Sequence, residues 1–331
     1  MSARAKKGRS LTTILTLAWA LSAAAAGAET YQPQNQVRGD IRVWGSPEDA
    51  ELLKLWDEGF RKHHPDAHVV AQLHGPESTI AALYTDIADI AFVGRELRLP
   101  VDNMAFQWVK LYPITTVEVA NAGLTGSRLA GTIAVFVHPD NPLRGLTLAQ
   151  LDGIFGGEHK RGAGKLRTWG DLGLSGEWRE RPIHVLAPPV DSIAALFFGR
   201  VVLENSFKWN TALQEFPSEA AAIAAVARDP SAIAYGRMGA SMSGVTALPL
   251  AVKAVDAFVM PTVDTVADRS YPLARVVIVA VNRKPGQPLD AKVREFLRYV
   301  LSEDGQAAVV QDGAYIPLAA KTAQQQLKRL D

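Results

Sequence analysis

The sequence predicts an α/β protein with two lobes, and three observations predict it. The chain has 331 residues, 48% of them hydrophobic and 21% charged. These are ordinary globular proportions, and the chain is longer than one core organises well, since single cores grow poorly beyond roughly 250–300 residues. Short apolar β-prone runs alternate with helical stretches, the rhythm of a parallel sheet with helices on its faces. That rhythm begins afresh in the second half.

The elements follow in order. Residues 29–39, ETYQPQNQVRG, are polar with Pro and Gly and read as a disordered leader. DIRVWGS is a β-prone run ending at Gly45. In PEDAELLKLWDEGFRKHHP, the residues Leu52, Leu53, Leu55, Trp56 and Phe60 mark one helical face. Pro47 suits the first turn there, and Glu48, Asp49 and Glu51 complement the helix dipole from a solvent-exposed start. AHVVAQLH is a strand, STIAALYTDIA a helix with Ser78 as N-cap, and DIAFVG a short apolar strand. YPITTVEVANAG and LAGTIAVFVHPDNPL are two further β-prone runs. TLAQLDGIF is a short helix before a Gly- and charge-rich loop. RPIHVLAPP is a strand, DSIAALFFGRVVL a helix, SEAAAIAAVARDP a helix capped by Ser218, and SAIAYGRMG a strand. YPLARVVIVAVN is a strong strand, LDAKVREFLRYVLSEDGQAAVVQDG one or two helices, AYIPL the close of the packed part, and AAKTAQQQLKRLD a polar terminal helix.

Residues 1–28 read as a cleaved secretory signal. Lys6, Lys7 and Arg9 precede an apolar stretch that ends in Ala26-Gly27-Ala28, which makes Glu29 the expected mature start. No later stretch is long enough to span a membrane. The formal net charge is +1, and residues 1–28 hold four cations and no acid, so the remainder is weakly acidic. Its Arg and Lys are scattered, which gives no electrostatic case for nucleic acid. There are no cysteines, which removes disulfides, thiol catalysis and a lipid-modified terminus. An exported chain without a lipid attachment point is expected free in the periplasm.

Chemistry-bearing motifs are few. His63, His64 and His68 sit in an expected solvated turn without carboxylates at ligand spacing, so no metal is expected. GAGKLRTWG lacks the Lys-Ser/Thr of a phosphate loop. There is no nucleophile elbow, no His-Glu-x-x-His and no thiol. No catalytic constellation emerges, so neither an enzyme nor a cofactor is expected, and the chain is expected to be monomeric.

The series VWGS, HGPESTIAALYTDIADIAFVGREL, GTIAVFVHPDNPLRGLTLAQLDGIFGG, TWGDLG, SEAAAIAAVARDPSAIAYGRMG, YPLARVVIVAVN and EFLRYVLSEDGQAAVVQDGAYIPL resembles, in that order, the phosphate-type periplasmic substrate-binding proteins of ABC transporters. The likeness runs from about Asp40 to Leu318. It implies the periplasmic-binding-protein-like II fold, two αβα lobes joined by crossover hinge strands with a ligand cleft between them. On that frame, residues 40–130 and 265–331 form lobe 1 and residues 131–264 form lobe 2. It also implies a small-molecule ligand, phosphate or a related oxyanion, caught by cleft closure, and a permease partner in the inner membrane.

The resemblance places candidate ligand-binding residues at Ser46, Glu48, Glu77, Ser78, Thr79, Arg95, Asp191 and Ser192. Phosphate-binding members use loops like G-S-T-T and G-S-G-T-G in lobe 1 and R-x-x-G-S-G-T in lobe 2, because a desolvated oxyanion needs several N–H, O–H and guanidinium donors. Here Pro47 and Glu48 replace hydroxyl residues, Pro76 replaces a Ser, and Gly94 stands where Ser is common. Arg95 keeps the usual Arg and either contacts ligand, bridges Glu77 or makes a structural ion pair. In lobe 2, Ser192 remains, Ile193-Ala194 replace Gly-Thr, and Pro188 and Ala195 replace arginines. Carboxylates thus stand where donors belong, which disfavours tight phosphate binding. The alternative is the same fold with its anion site lost, serving another small molecule or an interaction in envelope sensing.

Overall fold

The computed structural model describes residues 29–125, 128, 130–239 and 242–331; the expected signal segment lies outside the described residues. The first lobe is built from β1 (Gly39–Gly45), α1 (Ala50–Arg61), β2 (Ala67–Leu73), α2 (Thr79–Tyr84), β3 (Ile90–Phe92), α3 (Val101–Lys110) and β4 (Thr115–Asn121). The chain then enters the second lobe. That lobe contains β5 (Ile133–Val137), β6 (Leu146–Thr147), α4 (Leu148–Phe155), β7 (His184–Ala187), α5 (Ile193–Val201), β8 (Gln214–Glu215), α6 (Glu219–Val226), β9 (Ala232–Arg237), β10 (Thr246–Ala247), β11 (Leu250–Ala251) and α7 (Val263–Ala267). It returns through β12 (Val276–Val281), and α8 (Ala291–Val300), α9 (Glu303–Asp312) and α10 (Ala320–Leu327) complete the first lobe.

Each lobe has its own five-stranded sheet. The first runs β2-β1-β3-β12-β4 and the second β10-β5-β9-β7-β8. β1 pairs parallel with β2 and β3, while β12 is antiparallel to β3 and β4. The returning strand therefore inserts between β3 and β4 and joins the two chain segments of the first lobe in one sheet. Parallel pairing leaves the loops after β1, β2 and β3 at one edge of the sheet, where ligands of open α/β sheets bind.

The apolar pattern explains the packing. α1 buries Leu52, Leu53, Trp56 and Phe60 on one face, as their spacing predicts. The indole N–H of Trp56 donates to the Gly305 carbonyl at 2.9 Å, which joins α1 to α9. In the second lobe Phe198, Tyr235 and Trp209 stack nearly parallel, the first two with centroids 4.0 Å apart. Of the one or two helices expected near the C-terminus there are two, the first ending before Ser302, whose hydroxyl accepts from Gly305 N and caps α9. A side chain at Gly305 would meet the Tyr299 and Val300 carbonyls, so the sharp turn between α8 and α9 needs this glycine.

Three expectations need correction, and one helix went unmarked. Residues 29–39 are no disordered leader. Tyr31 and Val37 are buried in the core of the first lobe. The Tyr31 hydroxyl donates to Glu295 at 2.8 Å and lies 2.7 Å from His64 Nε2. His64 is accordingly fully buried rather than solvated, and burial lowers its pKa. The helix expected through Ala88 stops at Tyr84, where the Thr85 hydroxyl bonds back to the Ala81 carbonyl and Asp86 turns to a φ of 60°. Finally, α3 carries no pattern that marked it in the sequence. Only Asp102 and Phe106 of it are buried, so its apolar residues do not fall on an inward stripe.

Tyr31→Ala is expected to destabilise the protein by about 3–5 kcal/mol, because it removes a buried aromatic ring and orphans Glu295 and His64. Urea unfolding checks this, and a change below about 1 kcal/mol would show that the leader packs only loosely.

Candidate functional site

Three turns at the strand ends of lobe 1 converge. After β1, Ser46 leads into a 3-10 turn, Pro47–Asp49, and then α1. After β2, Gly75 leads into a second, Pro76–Ser78, and then α2. Gly75 holds φ +97°, open only to glycine, and its N–H donates to the Gly45 carbonyl at 3.0 Å. The Trp44 indole donates to the Ser78 hydroxyl at 3.0 Å, drawing the turns together. After β3 comes Gly94, at φ +69°.

The hydroxyls expected to meet ligand are committed within the protein. Ser46 is buried and donates to Glu48. Ser78 donates to the Gly75 carbonyl at 2.8 Å and does not cap α2, so the N-cap role expected for it is absent. Thr79 is fully buried and donates to the Pro76 carbonyl at 2.8 Å. Ser192 does cap its helix, accepting from Ala195 N at 3.3 Å. Asp191 and Glu48 are exposed.

Arg95 makes the structural ion pair. It is buried, bonded to Asp102 at 2.9 Å and to the Glu96 carbonyl at 2.8 Å. It does not bridge to Glu77. That carboxylate, largely exposed, pairs with Arg98 at 2.6 Å, and Arg98 in turn holds Asp102 at 3.0 Å. Burial pushes the Asp102 pKa up, but Arg98 and Arg95 overcome it and the net direction is down. Arg275 from the returning segment grips Glu96 at 2.9 Å and lies over the Phe197 ring of lobe 2. Arg200 of α5 reaches back to the Leu97 carbonyl at 3.2 Å. Between the lobes, Leu97, Leu99, Leu196, Phe197 and Phe207 help line a cavity of about 150 Å³.

The residue that sequence reasoning missed is Asp49. Expected at an exposed helix start, it is 2% exposed. Its Oδ1 accepts from the Tyr315 hydroxyl at 2.9 Å and from Arg128 at 3.1 Å. Arg128 lies in the crossover to lobe 2 and also pairs with Asp312 at 2.8 Å. A Cβ on Gly94 would stand 3.2 Å from Asp49 Oδ2. Burial pushes the Asp49 carboxyl up to about 6, although Tyr315 and Arg128 pull the other way; Glu48 adds a small upward push. Burial, together with Asp49, raises the Tyr315 phenol. The string AYIPL held Tyr315 in view, but nothing in spacing pairs it with position 49.

Comparison with known proteins places the chain. A family profile described as a PBP superfamily domain matches residues 30–304. The chain belongs to the PBP superfamily. Within it the chain is PstS-like, a two-lobed solute-binding protein. It is 33% identical over 302 residues to a Pseudomonas aeruginosa protein named phosphate-binding protein PstS, covering 91% of this chain and 90% of the relative. Its fold is similar to that of an ABC-type phosphate transport receptor from Vibrio cholerae, with TM-score 0.54, 22% identity, and 83% and 99% of the two chains covered. It is similar also to PstS from Borrelia burgdorferi, with TM-score 0.58, 16% identity, and 85% and 99% covered.

The buried Asp49 has a consequence for stability as well as for this PstS-like cleft. Its folded pKa is raised, so the native state holds this proton more tightly than the unfolded chain does. Its contribution is therefore full below about pH 4 and is lost as pH rises to about 6, by about 3 kcal/mol. Asp49→Asn is expected to remove this loss. Urea midpoints at pH 4, 5, 6 and 7 would show the variant gaining on wild type as pH rises; parallel profiles would mean that Asp49 titrates normally.

Proposed function

We propose that this protein is the periplasmic receptor of a phosphate-type ABC importer. It takes an oxyanion of the phosphate class between its lobes, closes around it, and presents it to a permease in the inner membrane. The observation that carries this reading is the meeting of three lobe 1 turns at the start of α1, with α5 of lobe 2 facing the loop after β3 across the interlobe cavity. The name of the Pseudomonas aeruginosa relative and the expected export signal support it. Backbone N–H groups at the starts of α1 and α5 supply donors that need no particular side chain, and the helix dipoles favour negative charge there. Ser46 and Ser192 stand at those starts, and Ser78 at the start of α2. Binding and closure need no bond to form or break, so the reading is of a receptor rather than an enzyme.

One observation favours a second reading. The hydroxyls of Ser46, Ser78 and Thr79 are all donated within the protein, and the guanidinium groups of Arg98 and Arg128 already hold carboxylates. A cleft so self-satisfied suits a receptor for a different small molecule, or an envelope protein that binds a partner.

The test is thermal denaturation of the chain from Glu29 in phosphate-free buffer, with phosphate, sulfate, molybdate, amino acids, polyamines and sugars added in turn. Ligand at 100 times its Kd adds about 2.7 kcal/mol. Stabilisation by phosphate is expected, with Ser192→Ala weakening it by about 1–2 kcal/mol, the scale of a hydrogen bond near a charge. A response only to cationic or neutral solutes would favour the second reading.

A further inference from the structure

The buried group with no place in that scheme is Asp49. It lies where the turn after β1 enters α1, one of the helix starts expected to face the ligand. A carboxylate there repels an oxyanion, yet it is not left in solvent. It is enclosed as a bound anion would be, by a phenol and a guanidinium at 2.9 and 3.1 Å. Its second oxygen fills space beside Gly94, the position where a Ser would crowd it.

The groups facing Asp49 are few and come from four elements. Glu48 lies in its own turn and Gly94 at the end of β3. Arg128 comes from the crossover, with Asp312 of α9 on its other nitrogen, and Tyr315 from the segment after α9. One guanidinium thus serves two buried carboxylates, and that buried trio is negative by one charge. A dianion entering this place meets uncompensated charge unless Asp49 leaves or takes a proton.

We infer that the carboxylate of Asp49 is a built-in anion that occupies the oxyanion position of the cleft, so that a phosphate-class ligand binds in competition with it. The inference rests on the receptor reading above. Protonation of Asp49 is one route to vacancy, and its raised pKa brings that route within the range of a mildly acidic medium. Occupancy also reaches the second lobe. The Arg128 carbonyl accepts from Arg237 of β9 at 3.0 Å, and Arg237 is held by Glu219 of α6 at 3.0 Å. Arg128 is a positioning residue on this account: its side chain senses the anion and its backbone is tied to lobe 2.

The experiment is titration calorimetry with sulfate, which stays a dianion across the pH range, and with phosphate at pH 7.5. Asp49→Ala, which removes both the charge and the bulk, is expected to bind sulfate at least tenfold more tightly than wild type at pH 7.5. Wild-type sulfate affinity is expected to rise about tenfold from pH 7.5 to 5.5, and Asp49→Asn to lose that slope. The wild-type pH series stands even if a variant fails to fold. Wild type binding either anion with a flat pH profile, and Asp49→Ala binding no more tightly, would overturn the inference and leave the receptor reading intact. No oxyanion binding by wild type at either pH or by Asp49→Ala would overturn both.

Discussion

The structure around the cleft depends on one constraint: a single guanidinium, Arg128, must satisfy two buried carboxylates. Asp49 and Asp312 are each almost without solvent, and each is held at close to 3 Å by a different nitrogen of the same fork. A planar guanidinium can do this because its donors point in fixed, divergent directions; a lysine ammonium has no such geometry. Removing it would leave two unpaired buried charges, the costly outcome for any ion cluster. The Tyr315 ring lies beneath the guanidinium, 5.5 Å from its carbon, and gives its hydroxyl to the same Asp49 oxygen. The crossover, the start of α1 and the end of α9 are thereby fixed at one point.

Charge pairing of the same kind runs along the rest of lobe 1. Arg95, Arg98 and Arg275 respectively hold Asp102, Glu77 and Glu96, and Arg98 shares Asp102. The exposed Arg98–Glu77 pair adds little to stability, while the buried Arg95–Asp102 and Arg275–Glu96 pairs fix geometry, since each arginine fork accepts few carboxylate poses. Two nitrogens of Arg95, Nε and Nη2, are buried without a hydrogen bond among the described residues, which shows that its placement is not set by hydrogen bonding alone. What it gains is the position of Asp102 at the start of α3, and hence of the loop that roofs the interlobe cavity. Arg275 and Arg200 reach between the lobes from opposite sides of that cavity, so its walls are tied by long side chains over aromatic rings.

Much of the fold was legible because period and punctuation agree. Leu52, Leu53, Trp56 and Phe60 could lie together only on a helix, and the β-prone runs match β1 through β5, β7, β9 and β12 closely. Where reading failed, the deciding partner was distant in sequence. Tyr31 is in a polar segment, and only the pocket formed by His64, Phe60 and Tyr299 makes it core. α3 was invisible because its exposed residues, Val101, Met104, Trp108 and Val109, are apolar and its inward contacts are an acid and one Phe. The candidate site was read in part. The turns at Ser46, Gly75 and Gly94 were placed by their glycines and helix starts, and the loss of hydroxyl donors was evident from Pro47 and Pro76. Which carboxylate took their place was not, because Glu48, Asp49 and Glu77 look alike in a first turn. Only the fold shows that Glu48 and Glu77 reach solvent and that Asp49 turns inward to Arg128 and Tyr315.

That distinction changes what the substitutions mean together. Replacing hydroxyls by proline at Pro47 and Pro76 removes donors and N–H groups, and by itself would leave a weak anion site. Replacing the serine expected after β3 by Gly94 removes another donor, but it also clears the space that Asp49 Oδ2 approaches. The two kinds of change are complementary: one takes away the means of holding a free anion, and the other makes room for a tethered one. An internal carboxylate loses little conformational freedom on entering the pocket compared with a dissolved ligand, so a site with fewer donors still holds it. With Asp312 already paired to Arg128, the tethered carboxylate adds a second negative charge to the same guanidinium. The backbone of Arg128 is bonded to Arg237 in the second lobe, so the guanidinium that holds both carboxylates belongs to a residue tied to both lobes.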